Sequence, residues 1–288
     1  MRQPFFQQFT HHQFNMTFSD QRLCWQRLEP HDHKSIGPDS ANPLLMLHGA
    51  GVAGVLTWGP FCPHLDAHRQ GIIPDLRGAG DTCALQGNED AFALDQVVDD
   101  IIALLDYEQV ACVDVIGYSF GGLVAMRLKQ RMPERVAATY LLEPAMLERA
   151  DHALMMRVCE SYAEAAEEIR SASTPEQGIT RFLDLISPHR SRNPRVERMT
   201  ISRLARRHLG FANALDCVTH AIKTLDRDEL LAAQRNVISV VGGKSLDATR
   251  AYHSELAAAR ADWTFIELPG TDHSLPFQKP RRLASIVR

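Results

Sequence analysis

Ser119 lies in the stretch VIGYSFGG, residues 115–122, with Gly117 two positions before it and Gly121 two after. A serine hydroxyl that is to attack a carbonyl carbon must be lifted clear of its own chain on a strained corner. Side chains two residues to either side would then collide with neighbouring structure, and glycine removes that obstacle. The same glycines would also suit an ordinary tight turn. The elements that carry Ser119 separate the two readings.

Val110 to Ile116 form an apolar run ending at the glycine, and LVAMRLKQR follows in helical rhythm before Pro133. Ser119 therefore falls where a strand hands over to a helix over about 120–131, as a nucleophile corner requires. The flanking chain repeats this alternation. LLML at 44–47 runs into HGAG, and GIIPD at 71–75 runs into a glycine-rich loop. A helical spacing of Leu94, Val97, Val98, Ile101, Ile102, Leu104 and Leu105 predicts a helix over 93–107. RVAATYLLEP (135–144), NVISVVGG (236–243) and WTFIELPG (263–270) read as further strands, with helices over 248–260 and from about 280. Two half-exposed strands, 13–18 and 22–29, come first, joined at Ser19-Asp20-Gln21. Strands and helices alternating at short spacing predict a mostly parallel twisted sheet with helices on both faces. Residues 145–230 differ, being helical throughout, and read as an insertion after the sixth strand. The expected organisation is a core of 1–144 and 231–288 with a helical cap of 145–230.

Bulk properties narrow the chemistry. The chain has 288 residues, 45% of them hydrophobic and 23% charged, with a formal net charge of −4. That balance gives no electrostatic case for nucleic acid or a membrane surface. The six cysteines, at 24, 62, 83, 112, 159 and 217, form no CxxC pair, so reduced thiols and a cytoplasmic location are expected. The start of the chain lacks the roughly 7–15-residue apolar region of a secretory signal, and no run approaches the ~18 apolar residues of a membrane span. The His31-Asp32-His33 triplet and its neighbours His11 and His12 sit in polar sequence and read as solvated turns rather than metal ligands. No metal-ligand spacing, phosphate loop or dinucleotide fingerprint is expected to bind a cofactor. The GAGVAG stretch at 49–54 lacks a later acid in βαβ context.

Four stretches in order carry a resemblance over nearly the whole chain: LLMLHGAG, DLRGAGDT, GYSFGG and GTDHSLPFQKP. The sequence resembles the α/β-hydrolase superfamily, whose nucleophile, acid and histidine follow in that chain order. The resemblance implies His273 as the base that takes the proton of Ser119, because it follows the last strand. It implies a loop-shaping role for His48 and an oxyanion hole of the Ala50 and Phe120 backbone amides, with Gly51 as an alternative for Ala50. The acid is open between two carboxylates. Asp247 lies near the usual place after the seventh strand, although three residues beyond Gly242 stands Ser245, and Asp247 also suits the N-cap of the 248–260 helix. Glu143 closes the sixth strand, and Pro144 predicts that it stays extended. A carboxylate there needs a partner, which the Nδ1–H of His273 would supply. The sequence is also similar to members that combine this glutamate with a serine in the later loop, and Glu143 is favoured.

The function expected from this set is a serine hydrolase of small or medium carboxylic esters or related acyl groups, working through an acyl-enzyme on Ser119 with no cofactor. Thioester, lactone or carbon–carbon bond hydrolysis uses the same machinery, and a hydrolase-fold receptor with little turnover is the reading from another class. Serine at 119 argues against the dehalogenases and epoxide hydrolases of this fold, which need a carboxylate nucleophile. In the cap, Arg190, Arg192, Arg195, Arg198, Arg203, Arg206 and Arg207 face the single acid Glu197 over 190–207. That stretch is either a solvated helix face or a surface that attracts an anionic substrate or carrier. Met146, Met155, Met156 and Met199 either line the pocket or pack between helices.

Overall fold

The computed structural model describes residues 6–31, 41–171 and 173–287. Asp32 and His33, and with them most of the polar stretch before residue 41, lie outside the described residues. The chain opens on two ten-residue strands, β1 (Phe9–Phe18) and β2 (Gln21–Pro30), paired antiparallel from Phe9 opposite Pro30 to Phe18 opposite Gln21. β1 starts earlier than the sequence predicts. His11 and His12 belong to it, because the ladder to β2 satisfies their backbone and His11 stacks on Phe6 with ring centres 4.6 Å apart. Cross-strand pairing outweighs the polar character of that segment.

The parallel part follows as β3 (Leu44–Leu47), α1 (Gly54–Trp58), β4 (Gly71–Pro74), β5 (Cys83–Ala84), α2 (Leu94–Tyr107), β6 (Val113–Tyr118), α3 (Phe120–Arg131) and β7 (Val136–Leu142). Five helices then intervene: α4 (His152–Ser171), α5 (Glu176–Ile186), α6 (Pro194–Ala205), α7 (His208–Thr224) and α8 (Arg227–Ala232). β8 (Val237–Gly242), α9 (Asp247–Ala259), β9 (Trp263–Leu268), α10 (Leu275–Gln278) and α11 (Pro280–Ala284) complete the chain. The sheet runs β1-β2-β4-β3-β6-β7-β8-β9, with β5 attached to β2. It is parallel from β4 to β9, and β2 meets β4 antiparallel. The two-residue β5 is not anticipated by the sequence pattern, so the strand counted sixth from sequence is β7.

β3 and β4 are buried along their whole length, on both faces, which is why they read as unbroken apolar runs rather than alternating ones. Leu45 and Leu47 pack into one cluster with α2, α3 and α7, while Leu44 and Met46 pack into the other with Trp58, Phe61 and Leu275. The intervening helices have a cluster of their own, built from Ile169, Ile179, Leu204, Phe211 and Leu215. α7 serves both sides. Phe211 and Leu215 face the other inserted helices, while Ala214, Cys217, Val218 and Ala221 join the core beneath. All six cysteines are free, and among the described residues no helix is long and apolar enough to cross a membrane.

Candidate active site

β6 ends at Tyr118 and α3 begins at Phe120, so Ser119 alone makes the turn between them. Its backbone sits at φ 51° and ψ −115°, in a region that side-chain-bearing residues rarely occupy. Hydrogen bonds on both sides hold it there. The Ser119 N–H donates to the Leu142 carbonyl at 3.0 Å, and its carbonyl accepts from Gly122 at 2.9 Å, Ala145 at 3.0 Å and Leu123 at 3.2 Å. The glycines are sterically required. A Cβ on Gly117 would lie 2.4 Å from the Gly121 carbonyl oxygen, and one on Gly121 would lie 2.4 Å from that of Leu47 and 2.5 Å from that of His48. The strand-to-helix corner is thus a strained serine with space cleared on either side.

His273 arrives from the loop after β9. Thr271 Oγ1 bonds the Leu268 carbonyl at 2.8 Å, and the Thr271 carbonyl accepts from Lys244 N–H at 2.8 Å, tying this loop to the one after β8. Asp272, beside the histidine, is spent on the loop itself. Its carboxylate accepts from Ser274 N–H at 2.8 Å and from Gln278 Nε2 at 2.9 Å. The partner of His273 Nδ1 is Glu143 Oε2, at 2.7 Å. The other oxygen, Glu143 Oε1, accepts from the Gly242 N–H at 2.7 Å and from Ser245 Oγ at 2.5 Å. Three donors on a buried carboxylate keep it ionised. Burial alone would raise the Glu143 carboxyl, but the hydrogen bond and charge of His273, with Ser245 and Gly242, hold it below the usual glutamate range. Burial alone would lower His273, and the hydrogen bond and charge of Glu143 raise it above the ordinary histidine value. A carboxylate can only accept, so Nδ1 carries the proton and Nε2 is left as the ring's lone-pair nitrogen, without a protein partner among the described residues.

The structure therefore brings Glu143 to His273 and leaves Asp247 apart. The Asp247 side chain is 96% exposed and pairs with Arg250. Nor is Asp247 the N-cap expected of it: Leu246 occupies that position at ψ 139°, and Asp247 begins the first turn, where its charge meets the helix dipole. Glu143 is not extended either. Its φ is +42°, against the expectation drawn from Pro144. The chain must turn sharply after β7 for Ala145 N–H to reach the Ser119 carbonyl, and Pro144 packs so closely that a Cβ on Gly122 would lie 2.6 Å from it. These tertiary contacts override the local preference of a residue before proline.

His48 turns both ring nitrogens to the main chain. Nδ1 donates to the Gly49 carbonyl at 2.7 Å, and Nε2 accepts from Leu76 N–H at 2.8 Å, joining the loop after β3 to the loop after β4. Burial lowers its pKa, which suits a neutral ring with a fixed tautomer. Asp75 reinforces the junction, with Oδ1 accepting from Gly54 N–H at 2.7 Å and Oδ2 from Asp81 N–H at 2.9 Å. The amides of Ala50 and Phe120 donate no hydrogen bond among the described residues, so both remain available to an oxygen.

Ser119 and His273 open onto one cavity of about 460 Å³. Gly49, Ala50, Tyr118 and Phe277 form its core side, and the ring of Tyr118 lies 5.2 Å from that of His273. The opposite wall comes from α5, α6 and the start of α7, through Phe182, Ile186, Met199, Leu204 and Phe211. These residues of the inserted helices carry no motif, and only the amphipathic spacing of α5 and α6 marks them in the sequence. Of the four methionines considered, Met199 alone lines the cavity. Met146 and Met155 are core residues and Met156 packs against that core. Arg190 and Arg203 are the arginines of the 190–207 stretch that reach it. Among the described residues no group of three or more His, Cys, Asp or Glu is placed to hold a metal ion.

Comparison with known proteins gives the family and the fold. Residues 44–286 match the family model described as "Alpha/beta hydrolase family". The chain is 26% identical over 258 residues to Lipase LipV of Mycobacterium tuberculosis, covering 88% of this chain and 94% of that protein. It is 36% identical over 109 residues to 2-hydroxymuconate semialdehyde hydrolase of Pseudomonas sp. strain CF600, covering 36% of each. Against this relative and two others matched at 31–34% identity, the chain spans about a third of their length (30–37%). Among solved structures, the enol-lactonase from Burkholderia xenovorans LB400 superposes with a TM-score of 0.74 at 20% identity, covering 95% of this chain and 97% of that one. At that identity the likeness is one of fold.

Proposed function

The chain belongs to the alpha/beta hydrolase family, and on that premise we propose that it cleaves a carboxylic ester, or a closely related acyl bond, through an acyl-enzyme on Ser119. The observation that carries this reading is the 2.7 Å bond between Glu143 and the Nδ1 of His273, in a cavity whose floor is the strained Ser119. His273 Nε2 takes the proton of Ser119 Oγ as that oxygen attacks the substrate carbonyl carbon. The amides of Ala50 and Phe120 receive the oxyanion, aided by the positive end of α3. Collapse expels the leaving alkoxide, which takes the proton from His273. Water, deprotonated by the same nitrogen, then releases the acid. Glu143 holds the ring in the tautomer this requires and stabilises the imidazolium that forms. Residues 145–230 act as a cap whose α5 and α6 shape the acyl or leaving-group pocket. Asp247 has no part in the reaction.

The test is pre-steady-state hydrolysis of 4-nitrophenyl butyrate. A burst of one nitrophenolate per chain, followed by slower turnover and absent in Ser119→Ala, is expected. Binding of the ester with no burst and no turnover would replace the enzyme by a receptor of the same fold.

A further inference from the structure

The cavity wall formed by α6 has an unbalanced charge. α6 presents Val196, Glu197, Met199, Thr200, Arg203 and Leu204 to the cavity, all but Glu197 spaced three and four apart on one helical face. Next to them Arg190 pairs with Asp184 at 2.6 Å and with Glu197 at 3.0 Å, and Arg192 contacts the same two carboxylates at 2.9 and 3.5 Å. Two guanidiniums against two carboxylates leave that cluster neutral. Asp272, on the facing wall, has its oxygens taken up by Ser274 and Gln278. Arg203 has no counterpart. It is half-buried, lines the cavity, and makes no ion pair or hydrogen bond among the described residues. Two more donors on the same wall, Ser187 Oγ and Arg190 Nε, are buried with no acceptor.

A guanidinium drawn partly out of water without a counter-charge is unfavourable. A ligand that brings an anion removes that penalty, and the planar guanidinium matches a carboxylate with two parallel hydrogen bonds. Phe182, Ile186, Leu204 and Phe211 make part of the cavity lining apolar, so the pairing is screened less than on an open surface. We propose that the substrate carries a carboxylate remote from the bond that is cleaved, and that Arg203 binds it across the cavity from Ser119. This rests on the reading of Ser119 as the nucleophile. Arg195, Arg198 and Arg206 do not line the cavity, so they act only through long-range attraction that salt screens.

Two substrates of equal length test the assignment: the 4-nitrophenyl half-ester of suberic acid, and the same molecule with its free carboxylate capped as a methyl ester. Wild-type kcat/KM is expected to favour the half-ester on the order of tenfold to a hundredfold, the scale of a hydrogen-bonded ion pair. The preference should lie mainly in KM and persist in 0.5 M (roughly Debye-length 4 Å) salt. Arg203→Gln should bring the ratio to about one, Arg203→Lys should keep part of it, and Arg206→Gln should leave it at the wild-type value. Turnover of both esters with no preference, or a preference that survives Arg203→Gln, overturns the anchor and leaves the nucleophile reading standing. Turnover of neither, with no acyl-enzyme burst on butyrate, overturns both.

Discussion

The strand ends and the inserted helices contribute to one cavity by opposite physical means. At the strand ends every functional group is held from several directions. Ser119 is pinned by four main-chain hydrogen bonds, Glu143 by three donors, and His48 through both ring nitrogens. Across the cavity, α5 and α6 offer apolar side chains and Arg203, with surface ion pairs such as Arg181 to Glu164 and Glu168 behind them. The first region stores backbone strain, at Ser119 and at Glu143, and surrounds it with contacts that keep it there. The second stores none at the cavity wall. A change at the strand ends should therefore act on rate or on folding, and a change in the helices on which substrate is preferred.

The sharpest break of that contrast is Gly121→Ala. Its Cβ would stand within 2.5 Å of two backbone carbonyl oxygens that cannot swing aside. A loss of ~3 kcal/mol or more is expected, read by urea denaturation, where core overpacking sets the lower bound. Glu143→Gln comes next. It keeps the shape but forfeits the charge that orients His273, and kcat/KM should fall on the order of 10³–10⁴-fold. Asp247→Asn, an exposed substitution, should leave stability within about 0.5 kcal/mol and activity intact.

Glu143 also sets the pH dependence. His273 must be neutral to accept a proton, and its raised pKa places the rising limb of kcat/KM above the ordinary histidine value of about 6.5. In Glu143→Gln the same burial acts without the negative charge, so the residual activity should rise at lower pH than in the wild type. A limb that moves upward would contradict the assigned pair. Ser245→Ala removes one donor from the Glu143 carboxylate and should cost roughly tenfold in kcat/KM, the scale of one hydrogen bond to a charged group. A change in the helices acts on preference rather than on rate. Phe182→Ala should change total rate little and shift the preference between short and long acyl chains by about tenfold, as expected for an altered apolar pocket.

How much was legible in the sequence follows the same division. The corner at Ser119 is legible because its constraint is local: two glycines answer to atoms within a few residues or on the adjoining strand. His273 is legible through its place after the last strand, and Glu143 through the need of a buried carboxylate for a donor. The φ of Glu143 is not, because contacts from Ser119 and Gly122, distant in sequence, decide it. β5 escapes the pattern because two residues show no periodicity and exist as a strand only by pairing with β2. The histidines of β1 look like loop residues until the ladder to β2 is known. In the helices, the excess of arginine is visible in the sequence, but which of the seven pair with a carboxylate, and which unpaired one lines the cavity, is a property of packing. Arg190, Arg192 and Arg207 find carboxylates on α5, on α6 or before α2, whereas Arg203 does not.

The most direct test of the central claim is labelling with a fluorophosphonate, which reacts with an activated serine whatever the natural substrate. The wild type should take up one label, mapped by mass spectrometry to the peptide that holds Ser119. Ser119→Ala should take up none, and Glu143→Gln should label far more slowly than Asp247→Asn. An unlabelled wild type, or a label that persists in Ser119→Ala, would contradict the assignment of Ser119 as the nucleophile.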